Sequence, residues 1–122
     1  MTDNIDRVHF GWNFIKTKEH FKKNPPKAKE NFLIVSTQYN MTVYEIATAE
    51  RVSKTRIYFS QQFGWGGSSF YYSGKNCFSP KGQTRLVPLL AKVQKYFNDR
   101  DTEKLTFVFD EELDSFLDAL HG

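Results

Sequence analysis

The residue types that could support chemistry or binding are concentrated in FGWGGSSFYYSGKNCFSPKG, residues 63–82. This stretch combines aromatic rings and glycines with Lys75, Lys81 and the only cysteine of the chain, Cys77. Its glycines do not form a phosphate-binding loop, because GWGGSSF lacks the Lys-Ser/Thr pair that follows such a loop. The sequence also contains no HExxH motif and no nucleophile elbow. Since no histidine in the local sequence could activate Cys77, we interpret it as a half-buried small residue.

Histidines and carboxylates show no pattern of metal ligands. The histidines, at positions 9, 20 and 121, have no ligand spacing, and a single cysteine excludes an internal disulfide. The acidic cluster at 110–114 would point in different directions on a helix, and capping of that helix accounts for it. We therefore predict a protein that is not an enzyme and that uses no metal or cofactor.

Charge is distributed unevenly along the chain, whose net charge is +3. Residues 1–100 carry sixteen Lys and Arg against seven Asp and Glu, whereas residues 101–122 carry one against seven. Within fourteen residues of the basic part, the only acid is Glu19 and the lysines are Lys16, Lys18, Lys22, Lys23, Lys27 and Lys29. Such a run either remains a solvated face or loop, or binds a polyanion such as a nucleic-acid backbone with release of counterions.

Aromatic residues supply the second component of a nucleic-acid surface, because bases stack on exposed rings with about 1–3 kcal/mol each. Tyr71 and Tyr72 are adjacent and must face opposite sides of a strand, so one is exposed if the other supports the core. Trp65 lies at a glycine-rich turn, where an indole is difficult to bury. Four phenylalanines are assigned to the core: Phe10, Phe14, Phe59 and Phe70. Beside the lysine run, the predicted nucleic-acid-binding residues are Arg56, Tyr58, Trp65, Tyr72, Lys75, Lys81 and Arg85.

Most of the first ninety residues or so indicate short strands joined by turns. RVHFGWNFI, at 7–15, alternates large apolar residues with polar or small ones, which predicts a strand. A helix through the same residues is the competing interpretation, and Gly11 would cost that helix about 1 kcal/mol. After the stop at Asn24-Pro25-Pro26, further strands are predicted in FLIVS, MTVYEIATAERV, TRIYFSQQF, SSFYYS and Thr84 to Val87. Turns are expected at 51–54, 64–67 and 73–76, with glycine supplying positive φ.

The last third of the chain changes to helical spacing. Apolar residues between Leu89 and Phe97 predict a helix at about 88–99, with Pro88 as its first residue. KLTFVF is predicted as a strand and DEELDSFLDALHG as a short helix capped by Asp110. The apolar stripe that should dock this helix on the sheet comprises Leu113, Phe116, Leu117 and Leu120.

These elements predict an α+β fold, namely a small, strongly curved antiparallel sheet or partly open β-barrel with C-terminal helices packed on it. The run NFLIVSTQYNMTVYEIATAERVSKTRIYFS, followed by FYYSGKN and TRLVP, resembles in layout the SH3-like small β-barrels of many nucleic-acid-associated and phage-encoded proteins. The resemblance covers about residues 31–88 and depends on strand order and on the YEI and TRIY patterns. Because such barrels bind DNA, RNA, peptides or other proteins, the resemblance does not select a ligand.

The 122 residues predict one domain, 1–122, with an N-terminal strand and Lys-rich segment at 1–30, a barrel-like core at 31–88 and a helix-strand-helix part at 89–122. No apolar run suits a membrane helix and the N-terminus shows no targeting signal, so we expect a cytoplasmic protein that does not contact membranes. The predicted function is a non-enzymatic nucleic-acid-binding module for single- or double-stranded DNA or RNA. The alternative is a small protein-interaction or inhibitory protein, in one version phage-encoded, that docks through Trp65 or through the acidic segment 101–122.

Overall fold

The structure is a computed structural model that describes residues 13–38, 41–63, 66–78, 84–108 and 110–121. The helices in these ranges are α1 (Phe14–Lys23), α2 (Ala91–Asp99) and α3 (Asp110–His121). The strands are β1 (Asn31–Gln38), β2 (Met41–Thr48), β3 (Arg51–Val52), β4 (Arg56–Tyr58), β5 (Ser69–Tyr71), β6 (Thr84–Pro88) and β7 (Lys104–Phe107). They form two antiparallel sheets, ordered β6-β1-β2-β7 and β3-β4-β5.

The predicted α+β class and its antiparallel sheets are confirmed. Within the described ranges the strands do not close into a barrel, but the two sheets are joined at one corner. There the backbone N–H of Leu86 in β6 donates to the carbonyl of Gly74, 3.0 Å away. The backbones of Lys75 and Arg85 also form an isolated antiparallel β-bridge. Among all the residues that the structure describes, no helix is long and apolar enough to cross a membrane.

Strand β1 lies at the centre of the four-stranded sheet and is buried on both of its faces. Successive side chains of a strand point to opposite faces, so a strand covered on both sides needs an uninterrupted apolar run. FLIVS provides this run: Leu33 and Val35 point into one hydrophobic cluster, and Phe32 and Ile34 point into another.

The first cluster joins the sheet to the C-terminal helices. Val93 and Phe97 of α2 and Phe116 and Leu117 of α3 are buried in it together with Tyr44 of β2. The predicted docking of the C-terminal stripe is therefore confirmed at Phe116 and Leu117, while Leu113 is partly buried against the same cluster. The side chain of Leu120 lies outside the described residues.

The second cluster lies on the opposite face of the same sheet, beneath β3-β4-β5 and α1. Phe59 and Phe70 are buried there, as predicted, beside Phe63, and the three rings contact one another at centroid distances of 5.2–5.8 Å. Phe21 of α1 packs edge-on against Phe32 in the same cluster. The four-stranded sheet thus separates α2 and α3 from the smaller sheet and α1.

The predicted N-terminal strand is wrong where the structure describes it. Phe14 begins α1, and the side chain of Asn13 accepts a hydrogen bond from the Lys16 N–H at 2.7 Å, which is a typical helix N-cap. Thr17 and Phe21 are buried four residues apart, which is the spacing of one helical face. Residues 7–12 of the predicted strand, including Phe10, lie outside the described residues.

Several boundaries also differ from the prediction: β2 ends at Thr48 and β4 ends at Tyr58, so the predicted strands MTVYEIATAERV and TRIYFSQQF are too long. Arg51 and Val52 form β3 rather than the first half of a turn, and the turn follows at Ser53, whose hydroxyl accepts from the Arg56 N–H. Pro88 ends β6, paired with Phe32, so α2 begins three residues later than expected.

The glycines between β4 and β5 serve a purpose that was not predicted. In the described residues, positive φ occurs among the glycines at Gly74, with φ 91°, and not at Gly66 or Gly67. A Cβ on Gly66 would lie 2.8 Å from Nδ2 of Asn76, and one on Gly67 would lie 2.8 Å from Cβ of Phe78. These two glycines therefore allow the close approach of neighbouring side chains.

Candidate nucleic-acid interface

The outer face of the β3-β4-β5 sheet carries two pairs of arginine and tyrosine. Ile57 and Phe70 point into the core, so their strand neighbours point outward. The Cζ atom of Arg51 in β3 lies 3.7 Å from the ring centroid of Tyr58, its partner across the strand pair. The Cζ atom of Arg56 lies 5.3 Å from the ring of its own cross-strand partner, Tyr71. Arginine and tyrosine thus follow each other on the outer face of β4, and each arginine lies opposite a tyrosine of the neighbouring strand.

Each of these pairs presents an exposed guanidinium supported by a half-buried ring. A cation over an aromatic face at an exposed site is stabilised by about 0.5–1 kcal/mol, which favours one orientation of the arginine. Among the described residues, neither Arg51 nor Arg56 forms an ion pair with a carboxylate. Both guanidinium groups can therefore offer a flat surface to a stacking group and donors to an anion.

A groove of about 400 Å³ adjoins this face. It lies between α1, the turn that connects β3 to β4, and the end of β5. Two exposed lysines from separate elements, Lys18 and Lys54, contribute to its lining. The other lining residues are Thr55, Tyr71, Tyr72 and Ser73.

Tyr71 and Tyr72 face opposite sides, as predicted, but Tyr72 is the one on the core side. Its hydroxyl donates to the carbonyl of Ser53 at 2.5 Å, and its ring packs edge-on to Phe21 with centroids 6.3 Å apart. The ring that the sequence favours for the outer surface is therefore fixed in the wall of the groove. Tyr71, beneath Arg56, is the outward ring.

Helix α1 extends the basic surface beyond the groove. Lys75 Nζ and Arg85 Cζ lie 4.9 and 4.0 Å from the ring centroid of Phe14. Phe14 was predicted to belong to the core but is half-buried beneath these cations. It is one helical turn from Lys18, so the two side chains lie on the same face of α1 and connect these cations to the groove. We call the whole surface the cationic strip; it comprises Arg51, Tyr58, Arg56, Tyr71, Lys54, Lys18, Phe14, Lys75 and Arg85.

The strip brings together one part of the set predicted from the sequence, namely Lys18, Arg56, Tyr58, Lys75 and Arg85. At 100° per residue, Lys16 and Lys23 lie on the side of α1 roughly opposite to Phe21. Lys22 is in the last turn of α1, where its positive charge interacts favourably with the negative end of the helix dipole. Lys27 and Lys29 are exposed in the loop that follows. Trp65 and Lys81 lie outside the described residues.

Sequence reasoning missed Arg51, Lys54 and Tyr71. Two local signals were present: the spacing of Arg56 and Tyr58, which places both side chains on one strand face, and the basic segment RVSKTR at 51–56. The pairing of Arg51 with Tyr58 depends on a cross-strand register that the sequence alone did not provide.

The described residues contain no group of three or more His, Cys, Asp or Glu side chains that could hold a metal ion. Comparisons with known protein families, with curated proteins and with solved structures find no match. Function therefore has to be inferred from the chemistry of the cationic strip.

Proposed function

We propose that the protein is a non-enzymatic nucleic-acid-binding module that holds its ligand along the cationic strip. The observation that carries this proposal is the stacking of exposed Arg51 and Arg56 on tyrosines beside the lysine-lined groove. Nucleic acids present phosphates and flat bases in alternation. Arginine and lysine neutralise the phosphates, and guanidinium planes and rings stack with the bases.

The distribution of charge supports a polyanionic ligand. Acidic residues are concentrated at 101–122, and α3, which carries most of them, packs on the face of the four-stranded sheet opposite to the strip. The sheet thus separates this acidic segment from the basic surface. Such a separation gives the strip a stronger positive potential than the net charge of +3 suggests.

The proposal is tested by the double variant Arg51→Gln/Arg56→Gln. We expect it to weaken binding to a labelled single-stranded oligonucleotide by about tenfold or more, measured by fluorescence anisotropy. The slope of log K against log salt should fall by about 0.7 for each phosphate that the variant no longer neutralises. The matched control is Arg100→Gln/Lys104→Gln, which removes the same charge at two exposed residues that do not belong to the strip. Arg100 also stacks on a tyrosine, with its Cζ 3.5 Å from the ring of Tyr96.

The control should change affinity by less than about twofold, because its residues lie outside the strip. Equal weakening in both double variants would show that only net charge matters and would remove the strip from the site. A wild-type protein that binds neither DNA nor RNA at low salt would reject nucleic-acid binding altogether.

One observation favours the alternative function, a protein-interaction or inhibitory role. Phe78, at the end of the aromatic-rich stretch, is 77% exposed, and an exposed ring of this size is a common anchor at protein interfaces. In contrast, Phe116 and Leu117 are buried in the protein's own core, so they offer no docking stripe. If the protein-interaction role is correct, Phe78→Ser should abolish binding to a purified protein partner while oligonucleotide affinity is unchanged. The SH3-like resemblance stays a prediction, and it is compatible with either role.

A further inference from the structure

We infer that the groove within the cationic strip holds one unstacked nucleotide of a single strand, and that this groove makes the protein selective for single-stranded over duplex nucleic acid. This inference rests on the proposed function and adds the form of the ligand. It concerns the groove lined by Lys18, Lys54, Thr55, Tyr71, Tyr72 and Ser73.

The size of the groove suits one nucleotide. Its volume of about 400 Å³ lies in the lower part of the roughly 300–1,000 Å³ range of small-ligand pockets. A base in a duplex is paired and stacked, so it enters a concave site only after flipping out, which costs a few kcal/mol. A base in a single strand avoids most of that cost. Concavity at this position therefore favours single strands.

The lining groups match the parts of a nucleotide. Lys18 and Lys54 approach from two different elements and can place ammonium groups on a phosphate. The hydroxyls of Thr55 and Ser73 can both donate and accept, as required by a base edge or a sugar. The ring of Tyr71 offers a flat surface for stacking.

The walls of the groove are fixed before the ligand arrives. Tyr72 is held by the bond from its hydroxyl to the Ser53 carbonyl and by its contact with Phe21. The turn that carries Lys54 is closed by bonds from the N–H groups of Thr55 and Arg56 to the Ser53 hydroxyl. A preformed site loses less conformational entropy on binding.

The groove also continues into the rest of the strip. Tyr71 belongs to the groove and at the same time lies under Arg56, next to the Arg51 and Tyr58 pair. A strand with one base in the groove can therefore place neighbouring bases on the two guanidinium planes. Duplex DNA, whose bases are already stacked on each other, could reach the same surface only through its phosphates.

The test compares Tyr71→Leu with Tyr71→Phe on three probes, namely oligothymidylate, a strand of the same length made of abasic sites, and a duplex. We expect Tyr71→Leu to weaken oligothymidylate binding by about tenfold. It should weaken binding to the abasic strand and the duplex by less than about threefold, the smaller effect of releasing Arg56 from the ring. Tyr71→Phe keeps the ring and should bind like the wild type. Lys54→Gln should weaken binding to the abasic strand as well, because its contact is with phosphate.

The outcomes separate this inference from the proposed function. Equal weakening on all three probes in Tyr71→Leu would overturn the nucleotide site but leave nucleic-acid binding in place, whereas a wild-type protein that binds no probe would reject the proposed function. If the Tyr71→Leu variant melts well below the wild type, the Thr55→Met variant is used in its place in the same binding test. Thr55 is exposed on a turn, and a larger side chain there should fill the groove and remove the preference for single strands. An unchanged preference in that variant would also overturn the inference.

Discussion

Asn76 offers the sharpest test of how the aromatic-rich stretch at residues 63–82 is held in place. Its side chain is fully buried and bonds to backbone groups on both sides of the stretch. The Gly67 N–H and the Phe78 N–H donate to Oδ1, and Nδ2 donates to the Gly67 carbonyl, each at 2.9 Å. Asn76→Ala would remove all three bonds and leave three backbone groups without these partners.

The expected destabilisation follows from those three bonds. A typical internal hydrogen bond contributes about 1 kcal/mol, and a buried group left without a partner costs about 1–3 kcal/mol. Because the enlarged space next to Gly66 and Gly67 can admit water to part of the site, we take the lower end for each group and expect about 3–4 kcal/mol. This is a large fraction of the roughly 5–15 kcal/mol stability of a typical domain.

Urea denaturation followed by circular dichroism measures this destabilisation. The control is Asn98→Ala, because Asn98 is also an asparagine whose side chain accepts a bond at 2.9 Å, from Gln94, but it is exposed on α2. It should change the free energy of unfolding by less than about 0.5 kcal/mol. A destabilisation below about 1 kcal/mol in Asn76→Ala, or an equal one in Asn98→Ala, would refute the assigned role of the Asn76 side chain.

Two further predictions use the same denaturation assay. Leu117→Ala should destabilise the protein by about 2–5 kcal/mol, because Leu117 is 1% exposed between α3 and the sheet; a change below about 0.5 kcal/mol would mean that α3 does not depend on this side chain. Tyr72→Phe should cost about 0.5–1.5 kcal/mol by removing the hydroxyl bond to Ser53. Oligonucleotide affinity should fall by no more than about threefold, because the contact with Phe21 still holds the ring in the wall of the groove. A much weaker affinity with unchanged stability would instead assign the hydroxyl to the ligand.

Elements whose pattern is local could be predicted from the sequence. The FLIVS run indicated a strand, and the stripe through Phe116 and Leu117 indicated a docked helix. The boundary of α2 was misplaced because Pro88 suits a first helical position as well as the end of a strand. Its pairing with Phe32 in β1 decided the matter, and that contact is not local.

The N-terminal error has a similar physical cause. Alternation over residues 7–15 resembles a single strand pattern, and the penalty for Gly11 counts against a helix. Asn13 divides that pattern, because its side chain caps a helix that starts after Gly11. A capping residue inside an apparent strand pattern is therefore the signal that favours the helix.

The lysine run shows why charge density along the chain differs from charge density on the surface. Because α1 advances 100° per residue, lysines that are close in sequence are distributed around the helix, and only Lys18 reaches the groove. The groove's other cation, Lys54, belongs to the short basic segment RVSKTR at 51–56, which is less prominent in the sequence than the lysine run. Arg51 likewise gains its position from pairing with Tyr58 seven residues later. The basic surface is thus assembled by strand register and helix placement from cations in separate segments, namely Lys18, the segment 51–56, and Lys75 with Arg85, and a count of lysines in a window could not have located it.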